Sequence, residues 1–519
     1  SMSSPTLSTA HASPLNASKE SCGCQGTCGS GAASPRTVGD QLWNSPALET
    51  AVSQVVSQVK AASAKITDVR PADGALRQSY EQLMARAADV RGRALLYPYL
   101  GSGVGNGALV ELADGSVKWD MITGIGVHFF GHSEPDLLAT AVKSGIADTL
   151  QNGNLQSNFE AYRFAEVLLE LAKRNSRLKF CYCSTSGAMA NENALKVCYQ
   201  KHAPASRVIA FRDCFMGRSV TMSQIGDAAA NRVGIPLSTL VDYMPFYDSA
   251  AAKRMQAGDV SGQTRYIDSC VARLREYVER YPKQHACFIF EFVQGEGGFN
   301  TAPREFFLEL IKVCREAKIA VWDDEIQTFG RTTSMFAYEA LNLGEFVDVF
   351  CIGKMTQVCA TLFTEEYNPG PGLLSGTFTS SASAFNVGIK VLEKLAANAG
   401  AYYGPGGKFA SHHAHFVKHV RALAQKHPEW FSKNTKWGEV DDIVGGTGGM
   451  MKFTPFAGDK DKVNKACRHL FDAGVIAFYC GHGPYHIRML PPLPVMKEED
   501  WPRVFACIEK GLASAAAEK

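Results

Sequence analysis

The stretch "VFCIGKMTQVCA", residues 349–360, decides the fold. Val347 to Ile352, apolar except for Asp348, has the pattern of a strand buried on both faces. Gly353 breaks the run, and Lys354 stands where the strand must end. A primary amine at the mouth of an apolar core is costly unless something pairs with it or uses it.

Outward from this stretch the same texture recurs. Short apolar runs at 179–183, 208–211, 287–292 and 319–322 alternate with amphipathic segments. In one of these, "PREFFLELIKVCREAK" (303–318), Phe307, Leu310, Ile311 and Cys314 fall on one helical face, and Pro303 suits the first helical turn. Such alternation predicts an α/β fold with a mainly parallel sheet covered by helices. Four regions are expected. Residues 1–38 are a low-complexity Cys/Ser/Gly-rich tail. Residues 39–125 are a helical segment, with Val52, Val55, Val56 and Val59 on one face, leading into a small domain. Residues 126–394 form the large domain. Residues 395–519 form a smaller α/β domain, with helices at 407–426, 459–472 and from 497, and a strand at 475–479.

The 519-residue length exceeds one small core. A net charge of +2 gives no footprint for nucleic acid or an anionic membrane surface. No apolar run approaches the roughly 20 residues of a membrane span. Of fifteen cysteines, twelve sit in or beside apolar stretches, Cys181, Cys183, Cys287 and Cys351 among them. They read as the reduced thiols of a cytoplasmic protein rather than a disulfide framework. Cys22, Cys24 and Cys28 lie in the tail without a fourth ligand at close spacing, so no metal is expected. The tail also lacks the basic and apolar regions of a signal peptide.

Open parallel sheets bind ligands at the carboxyl ends of their strands. After the run 179–183 comes "STSGAMANENALK" (184–196), a small-residue turn opening a helix. It is either an ordinary N-cap, the plainer reading taken alone, or an anion site. After 208–211, Phe215 is a core ring or a stacking platform, and Arg218 a surface charge or a carboxylate clamp. After 319–322 comes "DDEIQ", where Asp323 admits a solvated turn and an inward acid would want a cation. Together the ends supply an anion cradle, an aromatic face, an acid and a lysine. These are the parts that hold pyridoxal 5'-phosphate (PLP).

The motifs at these positions resemble those of the class III (ω-) aminotransferases, PLP enzymes of fold type I, over roughly residues 95–515. "SGAMANENALK" is similar to the family's Ser-Gly-Ala-Glu-Ala-Asn-Glu, "FMGRS" to Phe/Tyr-His-Gly-Arg-Thr, and "EFVQGEGG" to Glu-Pro-Val-Gln-Gly-Glu-Gly-Gly. "DDEIQTFGRT" is similar to Asp-Glu-Val-Gln-Thr-Gly-Phe-Gly-Arg, short by one Gly. The block "GKMTQVCA" is closest to the lysine 6-aminotransferases, and "NENALK" to the 4-aminobutyrate and lysine branches.

The resemblance implies that Lys354 forms the Schiff base with PLP and that Asp324 pairs with the ring nitrogen. Gln327 would lie near the ring hydroxyl, Phe215 stack on the ring, and Ser186, Gly187 and Ala188 bind the phosphate. Thr377, in "SGTF", would reach the same phosphate from a partner chain, making the enzyme a homodimer with shared sites. Glu296 and Arg488 would pair with each other while an amino donor is bound. The acid would swing away when glutamate or 2-oxoglutarate presents its α-carboxylate, with Arg218 holding the far carboxylate. The activity implied is transfer of a terminal amine to 2-oxoglutarate; an aminomutase, decarboxylase or racemase on the same scaffold is the alternative. Met216, Met189 and Phe292 depart from the family pattern, Ser375 stands where the lysine enzymes carry Asn, and "TFTSSAS" lacks the family's Gly-Gly-Asn-Pro. These departures bear on substrate rather than on cofactor.

Overall fold

The computed structural model describes residues 37–518. Cys22, Cys24 and Cys28 lie outside them. Fifteen strands define three sheets. In chain order these are β1 Gly101–Asn106, β2 Leu109–Leu112, β3 Val117–Asp120, β4 Phe180–Ser184, β5 Arg207–Phe211, β6 Leu240–Met244, β7 His285–Phe290, β8 Ala320–Asp324, β9 Val349–Ile352, β10 Cys359–Phe363, β11 Val444–Thr447, β12 Met450–Phe453, β13 Val475–Ile476, β14 Phe478–Cys480 and β15 His486–Met489.

The large sheet has seven strands in the order β4-β10-β9-β8-β7-β5-β6. The pairs from β9 through β6 are all parallel, and only β10 runs against its neighbours. The carboxyl ends of β4, β5, β7, β8 and β9 therefore lie along one edge. Helices cover both faces, which is why β7, β8 and β9 are apolar without alternation and buried at every residue. The helix Arg304–Ala317 buries Phe306, Phe307, Leu310, Ile311, Val313 and Cys314. Its phenylalanines pack with Phe211, Phe246, Phe290 and Phe292 in one aromatic layer. Pro303 is the residue before this helix rather than part of its first turn. Its missing N–H is harmless there, since no helical carbonyl awaits it.

Two four-stranded sheets and two short two-stranded ladders, 151–152 with 380–381 and 434–435 with 438–439, complete the described residues. One four-stranded sheet, β1-β2-β3-β13, joins the N-terminal strands to β13; the other, β11-β12-β15-β14, is wholly antiparallel. Two sequence expectations change here. The apolar run 475–479 is not one strand. It breaks at Ala477, giving β13 to one sheet and β14 to the other, because the chain crosses between two buried surfaces. On the helix Pro46–Ser63, Val52 is buried but Val55 is 44% exposed. Val52 points at the body of the protein, and the arc of the helix that carries Val55 lies beyond that contact. A third change concerns Asp323, which is in no solvated turn. Strand β8 continues through Asp324, and Asp323 is fully buried.

Candidate active site

Strand β9 ends at Ile352, and Gly353 continues extended. A Cβ at Gly353 would sit 2.7 Å from the Cys359 sulfur, so the close return of the chain needs glycine. Lys354 then takes a left-handed conformation with φ +58°, and Gln357 another with φ +62°. Two non-glycine residues in this region within four positions mark local strain held by surrounding packing. Burial pushes the Lys354 amine down to about 8; Glu296 opposes this, Arg488 and Arg331 reinforce it, and Asp324 opposes it. Among the described residues no carboxylate forms an ion pair with it.

Asp324, at the end of the adjacent β8, accepts from Asn191 Nδ2 at 2.9 Å and from the Ile326 N–H at 3.0 Å. Asn191 lies on the buried side of the helix Gly187–Lys201, and its amide also donates to the Met216 carbonyl at 2.8 Å. Burial raises the Asp324 carboxyl to about 6, held there by the Ile326 and Asn191 bonds and by Lys354. Glu291, just past β7, accepts from the N–H groups of Gly295 (3.1 Å) and Phe215 (3.3 Å). Burial and the Asp324 charge drive it up to about 8, so at neutral pH Glu291 is the protonated partner of an ionised Asp324.

Ser186 caps the helix Gly187–Lys201, its Oγ accepting from the Met189 N–H at 3.2 Å. Gly187 and Ala188 form the first turn. The turn 215–218 lies directly on it: a Cβ at Gly217 would come within 2.7 Å of the Ala188 methyl. Phe215 is half-buried, and the exposed Arg218 guanidinium stands 5.5 Å from its ring centre. Arg488, fully buried on β15, donates to Glu296 at 2.8 and 2.9 Å and to Gln327 Oε1 at 3.0 Å. These placements bring Lys354, Asp324, Gln327, Glu296, Arg488, Phe215 and the helix start to one end of the large sheet. Thr377 is not among them. It is exposed, in a segment packed on Asn152 and Gly153.

Sequence reasoning missed three residues here. Asn191 stands one turn past Gly187, within the matched "SGAMANENALK" stretch, but nothing in the sequence set it apart from its neighbours as a partner of Asp324. Glu291 opens the "EFVQGEGG" motif, yet its proximity to Asp324 follows from strand order alone. Arg331 is fully buried without a carboxylate among the described residues. It donates from Nε to the Gln327 carbonyl at 2.7 Å and from Nη2 to the Gly126 carbonyl at 2.5 Å, and burial pushes it down to about 9.

The sequence profile of the family described as aminotransferase class-III matches residues 102–510. The chain belongs to the class III aminotransferases. Relatives are distant. The mitochondrial acetylornithine aminotransferase of Eremothecium gossypii is 28% identical over 292 residues, 53% of this chain and 64% of that protein. The diaminobutyrate–2-oxoglutarate transaminase of Nocardia farcinica is 25% identical over 425 residues, 79% and 89%. The lysine aminotransferase of M. tuberculosis shares the fold with a TM-score of 0.68 at 20% identity, over 83% of this chain and 99% of that one.

Class III aminotransferases use PLP, and this enzyme's cofactor is PLP. The residues fit it. A buried carboxyl that is ionised at neutral pH faces the same edge as a depressed lysine. A capped helix start supplies unshared amides for a phosphate. Gly217 leaves no side chain between that helix start and the turn that carries Phe215, and Gly187 lets the helix start lie close against Ile326. Among the described residues no helix is long and apolar enough to cross a membrane.

Proposed function

We propose that this class III aminotransferase moves the terminal amine of an ω-amino acid or a diamino acid to 2-oxoglutarate, giving glutamate. The observation that carries the reading is the Glu296–Arg488 pair, in which Arg488 Nη2 donates to both Glu296 oxygens while Nη1 donates to Gln327, beside Lys354. A buried guanidinium already paired with a carboxylate loses that compensation when the carboxylate leaves, unless another carboxylate takes its place. Glu296, at 22% side-chain exposure, is free to leave, whereas Arg488 is fixed. With Glu296 on Arg488, the pocket is neutral there and accepts an apolar stem. With Glu296 displaced, Arg488 takes the α-carboxylate of glutamate or 2-oxoglutarate. Arg218 then holds the distal carboxylate. The relatives named for diaminobutyrate, acetylornithine and lysine support a donor of this class.

When bound, PLP supplies an electron sink for charge developing at the substrate carbon. Lys354 would hold the cofactor at rest and, once released, would serve as the base at that carbon; an amine near pKa 8 is partly neutral at working pH, as a base must be. Asp324, oriented by Asn191, would present its charge to the ring nitrogen. Gln327 would lie near the ring hydroxyl, Phe215 would supply a stacking face for the ring, and Ser186, Gly187 and Ala188 would direct donors at the phosphate.

The site is completed by a second copy of the chain. Leu150, Leu155, Phe159, Tyr162 and Phe378 are exposed, and the segments 150–156 and 375–382, which carry three of them, are hydrogen-bonded to each other. An apolar surface of this kind favours association, and Thr377 lies on it. Twelve free thiols among the described residues support a reducing compartment, the cytoplasm.

The test is a panel of terminal amines, diamino acids and α-amino acids against 2-oxoglutarate, read as glutamate formed. A terminal amine or diamino acid that outperforms simple α-amino acids is expected. Keto-acid-independent turnover would assign an aminomutase, decarboxylase or racemase instead.

A further inference from the structure

We propose that Lys452 receives Glu296 when the acid leaves Arg488, making Lys452 a positioning residue for the glutamate half-reaction. The proposal rests on the two-substrate reading above.

Lys452 of β12 lies directly across from Arg488 of β15, and Arg488 across from Phe478 of β14. Residues opposite each other in antiparallel strands project to the same face. His486, two positions before Arg488, shares that face. The loop 295–300 runs along it. Glu296 meets Arg488, a Cβ at Gly298 would stand 3.2 Å from the His486 ring, and Asn300 Oδ1 accepts from Lys452 Nζ at 3.2 Å. The Gly481 N–H holds the Glu296 carbonyl at 2.8 Å, so the backbone is pinned while the side chain can turn. Opposite Lys452 is Gly445, where a Cβ would be 2.9 Å from Lys452 Cε; glycine lets the lysine stem lie flat on the sheet.

The charges on this face do not balance. Glu296 neutralises Arg488. Lys452 is bonded to a neutral amide and has no ion pair among the described residues. Burial lowers its pKa, burial and Lys452 together lower that of His486, and the Cys480 thiol feels Arg488, Lys452 and Glu296 at once. The three charges thus converge on one patch. A carboxylate leaving Arg488 without a new cation would lose its compensation in a partly dry site. A shift of about one strand spacing, ~4.8 Å, brings it to Lys452 instead. Before the shift the pairs are Glu296–Arg488 and Lys452–Asn300. After it they are Glu296–Lys452 and substrate carboxylate–Arg488, with each charge still matched.

The test uses the PLP-loaded enzyme and its variants Lys452→Met, Lys452→Arg, Glu296→Ala and the Lys452→Met/Glu296→Ala double variant. Single-turnover bleaching of cofactor absorbance gives kcat/KM for L-glutamate and for the fastest of L-lysine, L-ornithine and 2,4-diaminobutyrate, and calorimetry gives glutarate binding. Lys452→Met is expected to lower kcat/KM for glutamate, and glutarate affinity, about tenfold, a charged hydrogen bond's worth. The diamino donor should change less than about twofold, and Lys452→Arg should restore glutamate. In the Glu296→Ala background, loss of Lys452 should cost nothing further, since its partner is gone. Equal losses for both donors, no loss for either, or no rescue by Lys452→Arg would overturn the proposal. So would a full loss of glutarate binding in the double variant, which would make Lys452 a direct ligand. If Glu296→Ala alone leaves the donor ratio unchanged, the two-substrate reading has failed; if it shifts the ratio and Lys452→Met does not, only the role of Lys452 has failed.

Discussion

Asp323 and Asp324 are neighbours at the end of β8, and the strand turns them to opposite faces of the sheet. On one face, Asp324 finds the Asn191 amide, the Ile326 N–H and the charge of Lys354. On the other, Asp323 stands in register between Phe290 and Phe350, both fully buried. Its oxygens have no hydrogen-bond partner, and the neighbouring Glu325 carboxyl accepts from the Tyr338 N–H at 3.0 Å. Burial raises both acids. What separates them is the supply of donors: Asp324 stays near 6 and is ionised at neutral pH, whereas burial and the nearby Glu325 push Asp323 well above the usual carboxylate range. A buried acid marks chemistry only where a cation and oriented donors meet it.

The largest expected effect removes the cation from the Asp324 face. Lys354→Ala should cost about 10⁴-fold or more in glutamate formation and prevent borohydride from locking the cofactor to the chain. Normal turnover in this variant would break the contrast between the faces, because the Asp324 side would then need no lysine.

A smaller effect belongs to the other face. Burial raises Glu325 to about 8 from an ordinary value of 4.5, and Asp323 upward as well. A group raised on folding contributes fully below its unfolded value, and that contribution is lost as pH rises through the folded one. The stability from the Asp323–Glu325 pair should therefore fall between about pH 4.5 and pH 8. Asp323→Asn replaces a buried titrating carboxyl with a neutral amide of the same shape. In denaturant unfolding it should gain about 1–2 kcal/mol at pH 8.5 and little at pH 5.5. The same gain at both pH values would mean that Asp323 does not titrate across this range.

The smallest effect asks whether the Asp324 face is closed by a second copy. Thr377→Val and Lys354→Ala chains, each inactive, should regain about a quarter of wild-type activity when mixed, since half the dimers are mixed and each has one intact site. No recovery, with mixed dimers confirmed by native mass spectrometry, would make each site self-contained.

Much of this site was legible because parallel strands end on one edge. Lys354 and Asp324 each follow an apolar run, so reading the runs as strands already placed them together. Glu296, Gln327 and Arg488 came from motif resemblance, and Arg488 joins the site only because β15 packs its sheet against that edge. Asn191 and Glu291 were illegible because their meaning lies in a contact across 133 residues in one case and in strand adjacency in the other. Alternation put Asp323 on the far face. It could not reveal that aromatic rings cover that face, since apolarity says that a segment is buried and not against what. The split of 475–479 between two sheets has the same origin.

The most direct test of the account compares Asp323→Asn with Asp324→Asn in one assay, kcat/KM for donor plus 2-oxoglutarate, with cofactor content measured on the same samples. An amide in place of the Asp324 carboxylate cannot carry the charge that the ring nitrogen requires. Asp324→Asn should therefore lose about 10²-fold or more, while Asp323→Asn stays within about threefold of wild type. Equal losses in the two variants, or a greater loss in Asp323→Asn, would contradict the account.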